Sequence, residues 1–128
     1  MKRALTTLVV ALALVTPTHA DPPTAGTTHT FHDPVFIGTV FCDSYFEVLA
    51  IATADDPQAV FASFHSDRNE IDEPVCAVIA PTGTVVDVRS LGIMQRDGRS
   101  YDAWAVETRV GEHTGFALYV EPRLDIRV

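Results

Sequence analysis

Positive charge is scarce in this chain. Lys2 is its single lysine, and 9 basic residues stand against 17 acidic ones, for a net charge of −8. Nucleic acid and anionic membrane surfaces are both held by cationic surface, so this balance argues against either as a partner. The arginines are scattered and make no run of the kind that gathers phosphates. Cysteine is nearly absent as well: only Cys42 and Cys76 occur, without the paired Cys or Cys/His spacing of a zinc site. The sequence also lacks a nucleophile elbow, a triad-like context, a phosphate loop, a dinucleotide fingerprint and a defensible pair of catalytic carboxylates. Enzyme chemistry has no motif to rest on here, and no cofactor is called for.

One apolar run is present, at the start. "MKR" is a basic n-region, and "ALTTLVVALALV" is far shorter than the roughly 20 residues that span a bilayer. "TPTHA" then places the small residues Thr18 and Ala20 where a signal peptidase reads them. We expect a signal peptide over residues 1–20, and no cysteine at the cleavage site to accept a lipid. Losing Lys2 and Arg3 leaves 7 basic residues against 17 acidic ones. The remainder has the length of one domain, expected to be periplasmic or secreted. Such acidity suits solubility first and a cationic partner second.

In an exported chain two cysteines are expected to form one disulfide, Cys42–Cys76. A helix N-terminus can also activate a thiol, but a nucleophile needs a histidine base, and His65 is the only histidine between the two cysteines. After Cys42, Ser44 and Glu47 make a capping-box pattern ahead of an apolar run that predicts a largely buried helix to about residue 54. Asp56 and Pro57 signal a second helix to about residue 66, with Val60, Phe61 and Phe64 as its apolar stripe. Both helices lie inside the disulfide loop.

Residues 21–33, rich in Pro, Thr and Gly, read as a mobile N-terminal tail, and residues 34–128 as a single α+β domain. "PVFIGTVF" (34–41) predicts a strand. From residue 75 the pattern predicts antiparallel strands with turns at 81–84, 96–99 and 111–115, Asp97-Gly98 being the strongest hairpin signal. "LDIRV" is a weak edge strand. The expected fold is two short consecutive helices packed on a mainly antiparallel sheet or small barrel, with one disulfide.

The arrangement C-D-S-x-x-E-V from Cys42 to Val48 follows a "GTV" strand and precedes two helical runs and a second cysteine. It resembles small uncharacterised exported proteins of proteobacteria. The resemblance implies export and a disulfide and brings no activity with it.

Alternation puts Trp104, Val106, Thr108 and Val110 on one side of a strand, and Phe116, Leu118 and Val120 on one side of the next. These are the expected core faces. Opposite them, Tyr101 and Tyr119 would flank Ala103, Ala105 and Ala117, with Arg99 at the rim. The helix pair is expected to cover this surface; left uncovered, it is a recognition patch and the best binding site the sequence offers. His29 and His32 beside Asp33 have a metal-compatible spacing but lie in the expected tail, so no metal site follows. Asp67, Glu70, Asp72 and Glu73 lack the EF-hand order and read as a solvated acidic connection. The expected function is a non-enzymatic binding or interaction module for a protein or small molecule. An inhibitor of a cationic hydrolase such as lysozyme is the alternative, and a hydrolase using His65 is the alternative from another class.

Overall fold

A computed structural model describes residues 21–33 and 38–123. The expected signal peptide, positions 34–37 of the expected strand and the final "LDIRV" lie outside the described residues. Strands β1 (Thr28–Thr30), β2 (Thr39–Cys42), β3 (Cys76–Ile79), β4 (Thr82–Arg96), β5 (Arg99–Val110) and β6 (His113–Pro122) form one antiparallel sheet in the order β1-β4-β5-β6-β2-β3. Helices α1 (Tyr45–Thr53) and α2 (Pro57–Ser66) fall between β2 and β3. The sheet is curled into a half-barrel, so the fold is α+β with one disulfide.

Chain connectivity explains the curl. Only Ala80 and Pro81 separate β3 from β4, yet the two strands are four places apart in the sheet. A flat sheet would hold them roughly 19 Å apart, whereas three peptide units reach roughly 10 Å. The sheet must bend its edges toward each other, and the hollow so formed receives the helices.

Local signals account for most elements. Glu47 accepts the Ser44 backbone N–H at 2.8 Å, the capping-box contact expected at the start of α1. Asp56 accepts from the Ala59 N–H at 3.2 Å and Pro57 follows at the first helical position, so α2 starts where the sequence predicts. Val48, Ile51 and Ala52 are the buried face of α1, while Phe46 points outward and is 75% exposed. Asp97 and Gly98 close the β4–β5 hairpin with φ of 52° and 77°, the left-handed pair that a two-residue turn requires.

Three strand expectations need correction. "PTGT" makes no hairpin, because β3 pairs with β2 while β4 pairs with β1 and β5. "VVDVRSL" and "GIMQ" are one strand, carried past two bulges near Val86 and Leu91. The last turn shrinks to Gly111-Glu112, since Val110 already faces His113. Gly115, expected in that turn, lies within β6 under the ring of Phe41. A Cβ there would collide with that ring and stand 3.0 Å from the Cys42 carbonyl.

The expected mobile tail is also corrected. β1 pairs with β4 from Thr28↔Thr84 to Thr30↔Thr82, and Phe31 is completely buried. The Phe31 N–H donates to the Pro81 carbonyl at 2.9 Å. The segment lacks periodicity because only one of its side chains enters a core.

Cys42 closes β2 and Cys76 opens β3, and the two are direct partners across the strand pair. Their disulfide is buried, with Cα atoms 4.1 Å apart and a sequence separation of 34. Both helices are inside the loop it closes.

Candidate functional site

Register decides which side chains share a face. β5 and β6 pair Ala103 with Val120, Trp104 with Tyr119, Ala105 with Leu118 and Val106 with Ala117. Paired residues point the same way, so odd positions of β5 join even positions of β6. One face carries Tyr101, Ala103, Ala105, Leu118 and Val120, and it packs against Val48, Ile51 and Ala52 of α1. The other carries Trp104, Val106, Ala117 and Tyr119, and it forms a second core with Phe31 and Val85.

The expected patch of Tyr101, Tyr119 and Arg99 is therefore divided. Tyr101 is 4% exposed beneath the helix side, with the Arg96 guanidinium 4.7 Å above its ring. Tyr119 is on the opposite face, edge-on to Phe31 and His29, and its hydroxyl donates to Glu121. Burial, then the hydrogen bond and charge of Glu121, push that phenol well above its ordinary range. Arg99 is exposed at the hairpin tip. Alternation gave each strand its two faces, but not which face of one strand adjoins which of the next.

The other candidates have local roles. His65 stacks on Phe61 and its Nδ1 lies 3.0 Å from the Cys76 carbonyl, so as donor it ties α2 to β3. Asp67, Glu70, Asp72 and Glu73 are exposed around Asn69, whose side-chain oxygen accepts from the Ile71 and Glu73 N–H groups. His29 stacks edge-on with Phe31, at 4.5 Å between centroids. The Asp33 carboxylate is engaged by Arg96, and among the described residues no group of three or more His, Cys, Asp or Glu is placed to hold a metal ion.

What the sequence did not show is a cavity of about 660 Å³ between the helix pair and the inner face of the half-barrel. Its apolar wall comes from Val40, Ile51, Phe61, Val78, Met94 and Leu118, contributed by three strands and both helices as well as β6. Among the described residues, Asp33 and Arg96 are the charged groups in its lining. They form a bidentate pair, with both N···O distances 3.0 Å, and their side chains are 6% and 18% exposed. Burial pulls the Arg96 pKa down, but the hydrogen bonds and charge of Asp33, helped by Tyr101, outweigh it and hold the guanidinium above its ordinary value. Thr39, also in the lining, gives its hydroxyl to the Leu118 carbonyl at 2.6 Å.

The size, the mainly apolar wall and the few polar groups are those of a small-molecule site. No local pattern could have announced it, because Asp33 and Arg96 are 63 positions apart and each sits next to a turn signal. Compared with family models, with curated proteins and with solved structures, the chain matches none. Fold and cavity together define the class: a disulfide-linked α+β half-barrel with a partly open, mainly apolar pocket.

Proposed function

We propose that this protein is an exported, non-enzymatic binding module that holds a small apolar molecule in the cavity between its helix pair and its curled sheet. The observation that carries the reading is the cavity itself, which is large enough for a drug-sized ligand. A disulfide in a fold whose described residues include no helix long and apolar enough to cross a membrane is compatible with an oxidising compartment. The signal-like start of the chain supports the periplasm or the exterior as that compartment.

The test is uptake of N-phenyl-1-naphthylamine, a neutral dye that brightens in apolar surroundings. The purified exported protein should enhance its emission saturably. Val78→Trp places a large ring at a cavity residue that is 53% exposed, and it should abolish the enhancement while leaving the melting temperature within a few degrees. Dye uptake that is absent in the parent protein, or unchanged in this variant, would overturn the reading.

A cationic hydrolase as partner is the second reading, favoured by the exposed acidic turn that Asn69 ties together between α2 and β3. Co-elution with lysozyme at low salt that disappears in Glu70→Arg/Glu73→Arg would favour it over the cavity.

A further inference from the structure

We infer that the cavity takes a cationic amphiphile, its apolar body inside and an ammonium or other positively charged head at the mouth beside Asp55 and Asp56. This rests on the reading of the cavity as a ligand site and gives that ligand its chemical class. The lining divides by depth. Thr39, Ile51, Met94 and Leu118 are buried, whereas Gln58 and Val78 are exposed. The mouth therefore lies between the start of α2 and the edge strand β3. An amphiphile enters such a site tail first, because each buried methylene favours binding and a charged head is costly to take out of water.

Charge at the mouth decides which head is kept. Asp55 and Asp56 are exposed and lead directly into the lining residues Pro57 and Gln58. Successive Cα atoms are about 3.8 Å apart, so both residues have their Cα atoms within roughly 8 Å of that of Pro57. The Asp56 carboxylate accepts from the Ala59 N–H, which fixes its place. Neither aspartate has a salt-bridge partner among the described residues. The chain as a whole, at −8, adds a field of the same sign.

The charged groups deeper in the lining do not offset the rim. Arg96 is held by the Asp33 carboxylate and lies over the Tyr101 ring, and the Asp33 backbone N–H is tied to the Gly38 carbonyl. Both side chains belong to the wall, and the ligand needs neither. A cationic head at the mouth is thus attracted by two carboxylates, and an anionic head is repelled by both. Because the mouth is wet, the effect is moderate and salt-sensitive. At about 7 Å in water, two such charges separate a cation from an anion of equal length by on the order of ten-fold or more at low ionic strength.

Competition against bound N-phenyl-1-naphthylamine at pH 8 tests this, with decyltrimethylammonium and decanoate as length-matched competitors below micelle formation. In about 10 mM salt the cation should displace the dye from the parent protein at a concentration about ten-fold below that of decanoate. The ratio should shrink by about three-fold or more in 0.5 M salt, where charges at this range are screened, and likewise in Asp55→Asn/Asp56→Asn. Asparagine caps a helix as well as aspartate does, so the double variant keeps the start of α2. Should it fail to fold, Asp55→Asn alone leaves the cap untouched and should show part of the same change. Decanoate competing as well as the cation in the parent protein, or a ratio unmoved by these substitutions, would overturn the cationic class while leaving the cavity in place. Dye that is not taken up, or is taken up equally by Val78→Trp, would instead remove the underlying site.

Discussion

Replacing Phe31 with alanine should destabilise the protein by about 3–5 kcal/mol, the range for deleting a buried phenylalanine ring. Phe31 is 0% exposed and packs among Val85, Val106 and Ala117, with Tyr119 and His29 edge-on to its ring. Its backbone is tied to Pro81 and, through β1, to β4, so the surroundings have little freedom to close over the gap. The second core lies on the side of the sheet away from the helices, which favours the lower end of the range. Three kcal/mol is a large part of the roughly 5–15 kcal/mol that holds a domain together. In a domain of this size it should lower the melting temperature by on the order of 10–20 °C. Urea unfolding followed by far-UV circular dichroism measures the change, with the slope expected to stay constant. A loss below about 0.5 kcal/mol, the scale of an ordinary surface substitution, would mean that residues 28–33 are not docked in solution, and the reasoning from β1 onward would fail.

Removing the disulfide with Cys42→Ala/Cys76→Ala should cost roughly 3–4 kcal/mol, from the loop-closure entropy of a 34-position loop. Denaturant titration of the double variant checks it, and a difference under 1 kcal/mol would mean that the unfolded chain is already compact over that loop. His29 supplies a pH dependence: burial, with the charge of His32, holds its imidazole below the ordinary value of 6.5. The unfolded chain takes up that proton first, so stability is complete above pH 6.5 and falls as pH drops through the lowered folded value. His29→Gln should flatten the fall between pH 7 and pH 5 in a series of thermal melts; an unchanged slope would assign it to other groups.

The elements that sequence alone determined are those built from neighbours in the chain. Ser44, Glu47, Asp56 and Pro57 start two helices because capping acts within one turn. Asp97-Gly98 makes its hairpin because the left-handed conformations it needs are a property of those two residues. The Cys42–Cys76 pairing was legible because two cysteines allow one connection. What only the tertiary structure decided is non-local. Alternation separated the faces of β5 and of β6, but the antiparallel register set Tyr101 against the helices and Tyr119 against Phe31. A one-residue change of register would have reversed that choice. β3 reads like a hairpin partner of β4, yet it pairs with β2, beside the disulfide, and the short link onward bends the sheet. Residues 28–33 have too few apolar side chains to signal a strand, and they acquire order from the free edge of β4 and the pocket that receives Phe31. Asp33 and Arg96 meet because those two events bring β1 and the end of β4 to the same side of the hollow. Charge pairing and cavity shape depend on distances through space, which a linear pattern of residue types does not contain.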